Sequence, residues 1–280
     1  MIETPFFEFV DRLNLFVQKN SNLIQITLSN IFSMRLIGNK THGDLAEIAI
    51  AEFVNQFMYD YKSLHVGKDL YRAKSKEEDI TITNEITKET FPVSLKAYGH
   101  GPLQLSTDKS CTLFPMLESY GASITDPVLI KEILDHSAFV DYREINVLPL
   151  IYDERKNLCN ILVFLNKEAM ASVNSVVLET GEGTRRSHPV YRFYDQDGAY
   201  VFEVRYGGKT ANALQRGLWT HTARASRYFR SVTDGWVKYD HNLTLIKLIA
   251  RALVASEIGH AEALPVLDRD IARLKLKLSK

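Results

Sequence analysis

A chain of 280 residues, 45% hydrophobic and 24% charged, is long enough to bury one large core or two small ones. Its 34 basic and 34 acidic side chains cancel, so overall charge identifies no partner, although residues 181–240 carry 10 Lys and Arg against 6 Asp and Glu. Two cysteines, Cys111 and Cys159, read as thiols of a reducing compartment, and no Cys or His spacing suits zinc. The acidic start "MIETPFFEFVDRLN" is unlike a secretory leader, and no run reaches the roughly 18 apolar residues of a membrane span. The expectation is one soluble cytoplasmic domain without membrane contact.

In chain order, residues 5–36 carry helical spacing, with Phe6, Phe9, Val10, Leu13 and Val17 three to four apart. A second helix is expected over "THGDLAEIAIAEFVNQFMYDYK", residues 41–62. Its stripe is Leu45, Ile48, Ala49, Phe53, Phe57 and Tyr61, and Asp44 with Glu47 fits a capping box. The period then changes to two. Asp79-Ile80-Thr81-Ile82 alternates, "TNEITKET" supplies a turn, and "FPVSLKAY" is a second run. Further strands are expected at "INVLPLIY", "LCNILVFLN", "SVNSVVLE" and "VYRFYDQDGAYVFEVRYG", with Asp197-Gly198 as a hairpin turn. Helices return at "TANALQRGLWTHTARASRYF", "LTLIKLIARALVASEI" and "DRDIARLKLKL". The pattern predicts an α/β (α+β) fold: a central mixed sheet flanked by helices, in a single domain over 1–280.

Side chains at i and i+2 of a strand share a face, so Ser94 and Lys96 point one way and Val93 and Leu95 the other. On the preceding run Asp79 and Thr81 take the polar face, and a hairpin brings Asp79 within reach of Ser94 and Lys96. A carboxylate in that position can hold a hard divalent cation, and a neighbouring lysine can orient a water and neutralise a phosphate. The plainer reading of the same pair is a surface ion pair on a solvated hairpin.

The spacing of Asp79, a turn, and then x-x-Lys on a strand resembles the PD-(D/E)xK nuclease superfamily, in particular the type II restriction endonucleases. Asp79 matches the first acid, Ser94 stands at the second-acid position, and Lys96 matches the lysine. Glu78 replaces the proline that often precedes the first acid. The stretch "SLKAYGHGPLQLST" is similar to the segment after the lysine in such enzymes. Its Gly99 and Gly101 allow close backbone approach, and Gln104, Ser106 and Thr107 are neutral donors to a phosphate. The resemblance implies a restriction-endonuclease-like core over about 40–165 and Mg²⁺-dependent hydrolysis of double-stranded DNA at a short site. It also implies 5′-phosphate ends, one or two Mg²⁺ per site, a homodimer and a prokaryotic cytoplasm. Asp79, the Leu95 carbonyl and Glu47 would be the metal ligands, with Ser94 and Lys96 completing the catalytic set. Glu52, about 140° from Glu47 around the helix, is the other acid that could serve. Glu47 can equally be a helix cap.

DNA-recognition elements are expected over about 180–235. If a helix starts near Thr210, then Asn212, Arg216, Thr220, Arg224, Arg227 and Arg230 fall on one broad face, suited to phosphates and base edges. The ordinary alternative is an amphipathic helix with a charged solvent face. Arg185, Arg186 and His188 sit in a Gly-flanked loop that could enter a groove. Two other functions stay open: a repair or junction-resolving nuclease on the same fold, and a non-catalytic DNA-binding protein, which Ser94 makes conceivable.

Overall fold

The computed structural model describes residues 4–37, 42–66, 78–99, 101–105, 112–180, 189–205, 217–258 and 260–278. Helix α1 (Pro5–Lys19) starts as its sequence dictates, with Pro5 in the first turn and the Thr4 hydroxyl accepting from the Phe7 N–H at 3.4 Å. Its buried stripe is the expected one, Phe6, Phe9, Val10, Leu13 and Val17. Helices α2 (Ser21–Ile37) and α3 (His42–Phe57) follow.

α3 ends earlier than its apolar stripe suggests. The chain turns at Met58 and enters strand β1 (Tyr61–His65). Asn55 causes the change: its side chain accepts from the Ser63 N–H at 2.7 Å and donates to the Ser63 carbonyl at 3.0 Å, pinning an extended segment beside the last helical turn. Tyr61 therefore belongs to a strand, and Ile48, expected on the stripe, is 44% exposed. The buried side is instead Leu45, Ala46, Ile50, Phe53 and Val54.

β1 opens a sheet that continues through β2 (Ile80–Asn84), β3 (Thr90–Tyr98), β6 (Val147–Asp153), β7 (Leu158–Phe164) and β12 (Phe229–Ser231), in that spatial order. The short β13 (Val237–Lys238) also pairs with β7. β3 and β6 run parallel, and the other neighbours are antiparallel. The β2–β3 turn is the one the sequence announces. The Asn84 side chain accepts from the N–H groups of Ile86 and Thr87, and Lys88 takes a left-handed φ of 66°. One face of this sheet packs on α1–α3 through Ile80, Ile82, Val93, Leu95, Leu148 and Ile161.

A second sheet, all antiparallel, has the order β4 (Leu103–Leu105), β11 (Leu218–Thr220), β10 (Tyr200–Arg205), β9 (Val190–Asp195), β8 (Val173–Glu179) and β5 (Ser123–Ile124). Helices α4 (Leu113–Tyr120), α5 (Pro127–Asp135), α6 (Ser137–Glu144) and α7 (Asn166–Ala171) supply its cover. A second core forms there around Phe114, Phe139, Phe193 and Phe202. Helices α8 (Leu243–Ile258) and α9 (His260–Leu278) pack on each other, and α8 also packs on α2. The chain is thus a mixed α/β protein with a mixed sheet flanked by helices, as expected. The second sheet is an addition to that expectation.

The helix expected through residues 210–230 is not formed where the chain is described. Leu218-Trp219-Thr220 is a strand between β10 and β4, Ser226–Tyr228 is a short 3₁₀ turn, and Phe229–Ser231 is β12. Buried Leu218, Thr220, Ala225 and Tyr228 follow strand and turn packing, and a continuous helical face does not exist over them. No helix among the described residues is long and apolar enough to cross a membrane.

Candidate active site

β3 changes partners halfway along. Its first part, Thr90 to Val93, is paired with β2, and from Ser94 onward it is paired with β6. The Asp79 N–H donates to the Val93 carbonyl at 3.2 Å, the last rung before β2 leaves. The Ser94 N–H turns the other way, to Asn146 O at 2.8 Å. By the alternation of a strand, the N–H and C=O of Leu95 then face the fork that β2 has vacated.

Asp79 stands in that fork. Its Oδ2 accepts from the Leu95 N–H at 2.7 Å and from the Ser94 hydroxyl at 3.0 Å. An otherwise orphaned strand N–H is thus answered by a carboxylate, which is a strong form of the bond. Ser94 is 1% exposed, so its hydroxyl is fixed. Lys96, half-buried, lies on the same face two residues on. Tyr98 is the next residue on that face; burial pushes its phenol well above the usual range.

Two acids nearby behave differently from one another. Glu47 is buried and its Oε2 is 3.2 Å from His65 Nε2, at the end of β1. The next residue, Val66, donates its N–H to the Asp79 carbonyl at 3.0 Å, so this pair stands beside the backbone that carries Asp79. The register pairs His65 with Ile80, which places the Glu47–His65 contact toward the α1–α3 layer. α3 begins at His42, so Asp44 lies within the helix and not at its cap, and the Glu47 carboxylate goes to His65. Glu52 is exposed. Of the two acids on α3, Glu47 faces inward, but on the α1–α3 side of the sheet, opposite the face that bears Ser94 and Lys96.

Glu78 and His65 take part here without having been expected from the sequence. Glu78 is 3% exposed and its Oε1 accepts from the Thr81 hydroxyl at 2.7 Å. The sequence carries a signal for Glu78, since three successive acids, Glu77, Glu78 and Asp79, at the head of an apolar strand must be accommodated by burial with partners or by solvent. His65 carried no sequence signal.

Chemically, the fork offers oxygen donors only: the Asp79 carboxylate, the Ser94 hydroxyl and the outward-facing Leu95 carbonyl. That set suits a hard divalent ion rather than a soft one. Among the described residues no three of His, Cys, Asp and Glu gather into a metal-holding group of their own.

The recognition residues do not stay together. Ser106, Thr107, Arg185, Arg186, Asn212 and Arg216, with His188, lie outside the described residues. Gln104 is half-buried on β4, opposite Trp219 on β11. Thr220 is a correction: it is fully buried and its hydroxyl donates to the Val201 carbonyl at 2.8 Å, so it belongs to the second sheet's packing and not to a DNA-facing helix. Arg227 pairs with Asp195 and Asp197, and Arg230 pairs with Asp11. Arg224 is exposed, 6.0 Å above the Tyr200 ring, and is open to a polyanion. On β9 and β10, Arg192 and Arg205 clamp the buried Glu203, and Arg205 also lies 4.1 Å over the Trp219 ring.

No protein-family model matches the chain, and comparison with curated proteins and with solved structures yields no match.

Proposed function

We propose that the chain is a metal-dependent phosphodiesterase acting on double-stranded DNA. Within that class, the reading we favour is a type II restriction endonuclease of the PD-(D/E)xK kind. The observation that carries it is the Asp79 carboxylate in the β2–β3 fork, held by Leu95 and Ser94, with Lys96 on the same face. The mixed sheet with helices against one face supports the same core.

In this reading Mg²⁺ is held by Asp79, the Leu95 carbonyl and the Ser94 hydroxyl, with Glu47 joining directly or through water. Such an ion would acidify a water and offset charge on the scissile phosphate. Lys96 orients the attacking water and stabilises negative charge as it develops on the phosphate oxygens. Ser94 and the Leu95 amide hold Asp79 in one position before substrate arrives, which removes a reorganisation cost from the reaction. A two-fold homodimer would match a palindromic site, because the symmetries of protein and DNA then coincide.

The test is incubation of the purified protein with phage DNA and Mg²⁺, and then sequencing of fragment ends. Discrete fragments sharing a short symmetric sequence are expected, with 5′-phosphates. A random smear would speak against a restriction enzyme, and structure-selective cutting would favour a repair or junction-resolving enzyme. The uncharged Ser94 at the second-acid position favours one further reading, a non-catalytic DNA-binding protein. Binding without cutting under every divalent ion would select it.

A further inference from the structure

The sheet face that bears Ser94 and Lys96 continues past Tyr98 into a cleft. The register pairs Tyr98 with Ile151 and Ile151 with Asn160, so these side chains share the Lys96 face. Beyond them lies a cleft of about 710 Å³, with Gly99 and Gly101 at the end of β3 on its near side. Three residues of extended chain separate Gly99 from Lys96, about 10 Å at 3.3 Å each. The far wall is the segment after β11, through His221, Thr222 and Ser226. Trp236 stands at the rim.

Three features of this cleft point to its occupant. First, no carboxylate lines it among the described residues; its polar groups are amide, hydroxyl and imidazole, and the exposed Arg224 sits on the same wall segment. An anion is therefore not repelled. Second, neither glycine is required by packing among the described residues. A Cβ on Gly101 would meet nothing within 4 Å, and one on Gly99 would make ordinary contact with the Tyr152 ring at 3.5 Å. Neither has a left-handed φ. The missing side chain of Gly101 leaves the cleft mouth open for a backbone to approach, whereas a side chain on Gly99 would point to Tyr152 on the α1–α3 side.

Third, Trp236 is 48% exposed yet rigidly mounted. The turn before it is fastened to the cleft floor. The Ser231 and Thr233 hydroxyls both donate to Asn160 Oδ1, at 2.7 and 2.9 Å, and the Gly235 N–H donates to Ser231 Oγ at 2.7 Å. The next residues, Val237 and Lys238, pair with β7. A half-exposed indole on a fixed frame offers a flat π surface to a planar partner, and a nucleobase is the planar group a nucleic-acid strand brings.

We infer that one unstacked base of the DNA strand lies in this cleft against Trp236. This rests on the reading of the Asp79 fork as a DNA-cleaving site. The cleft volume falls in the range that holds a small organic group of nucleotide size.

The experiment uses the full chain in EDTA, so that binding is measured without cutting. Short single-stranded and duplex DNA are titrated while intrinsic fluorescence and the anisotropy of end-labelled DNA are recorded. The chain has only two tryptophans, Trp219 and Trp236, so Trp236→Phe assigns the signal. Expected are quenching of wild-type fluorescence that Trp236→Phe lacks, tighter binding of an unpaired strand, and a loss of affinity of roughly ten-fold or more in Trp236→Ala at an unchanged melting temperature. Gly101→Leu, which fills the mouth, is expected to weaken binding similarly while folding normally. If the wild type binds DNA and Trp236→Ala binds within two-fold of it without a lost quench, the base-stacking inference is overturned and the nuclease reading stands. If the wild type binds no DNA of either form, the nuclease reading itself falls, and this inference falls with it.

Discussion

The Leu95 amide lies 2.7 Å from Asp79 Oδ2, so a backbone hydrogen bond that β2 would have supplied comes from a side chain. That substitution makes Asp79 structural and chemical at once, and two replacements separate the parts. Asp79→Asn keeps an acceptor for Leu95 and loses the charge. DNA cleavage is expected to fall by at least about a hundredfold, as when a charge-stabilising group is removed from a site, with little change in melting temperature. Asp79→Ala should lose cleavage equally and also cost about 1–3 kcal/mol, because the Leu95 N–H and Ser94 hydroxyl are left unanswered. Denaturant titration of the three proteins checks this.

Ser94→Asp puts a second carboxylate on the first one's hydrogen-bond partner, 3.0 Å away in the native pair. Like charges so close oppose ionisation of both. The variant should melt a few degrees below wild type in EDTA and recover when Mg²⁺ is added. Thermal melts with and without the ion, read against wild type, measure it; equal melts under both conditions would argue against an ion in the fork.

Glu47→Gln tests whether that acid serves the site or only the α3–β1 contact with His65. If it completes the ion's shell, cleavage should drop at least about ten-fold, and a higher Mg²⁺ concentration should restore part of it. A variant that cuts at the wild-type rate at every Mg²⁺ concentration would confine Glu47 to holding His65.

Arg224→Ala should weaken DNA binding about evenly across sequences and reduce the slope of log affinity against log salt by about 1. Arg227→Ala should leave that slope unchanged, because Arg227 is engaged with Asp195 and Asp197. Anisotropy titrations over a salt series compare the two.

Asp195 supplies a pH dependence. Burial pushes its carboxyl upward. The Ala199 and Asp197 N–H groups, Arg227 and the Tyr228 hydroxyl together outweigh that, so its pKa is lowered. A depressed folded value means its stabilisation is present above the unfolded value, about 3.9, and is lost as pH falls through the folded one. Wild type should lose stability steeply below about pH 4, and Asp195→Asn should be less stable at neutral pH with a flatter acid limb. Urea midpoints from pH 2 to 7 test the sign.

The β2–β3 hairpin is legible in the sequence because two signals agree, alternation on both runs and an Asn-initiated turn between them. α1 is legible for a similar reason, a Thr4-Pro5 start and a clean apolar stripe. Residues 217–231 mislead because Thr220, Arg224, Arg227 and Arg230 happen to fall at helical spacing. Only the partners β4 and β10, distant in sequence, reveal that Leu218–Thr220 is a strand. β1 is hidden by an apolar stripe that runs on past the true helix end, and the fork at Asp79 is invisible because it depends on where β2 separates from β3. α5 is absent from the expected helices although Asp126-Pro127 marks its start, where the Asp126 carboxylate accepts from the Val128 N–H at 2.8 Å.

The far side of β7 is closed by two short pieces, Phe229–Ser231 and Val237–Lys238, with the left-handed residues Asp234 and Gly235 between them. The outermost strands on that margin are only three and two residues long, so each offers a neighbour's strand a short ladder at most. Growth of the sheet by stacking molecules edge to edge is therefore blunted there, and copies that meet on this flank must do so through side chains such as Lys238.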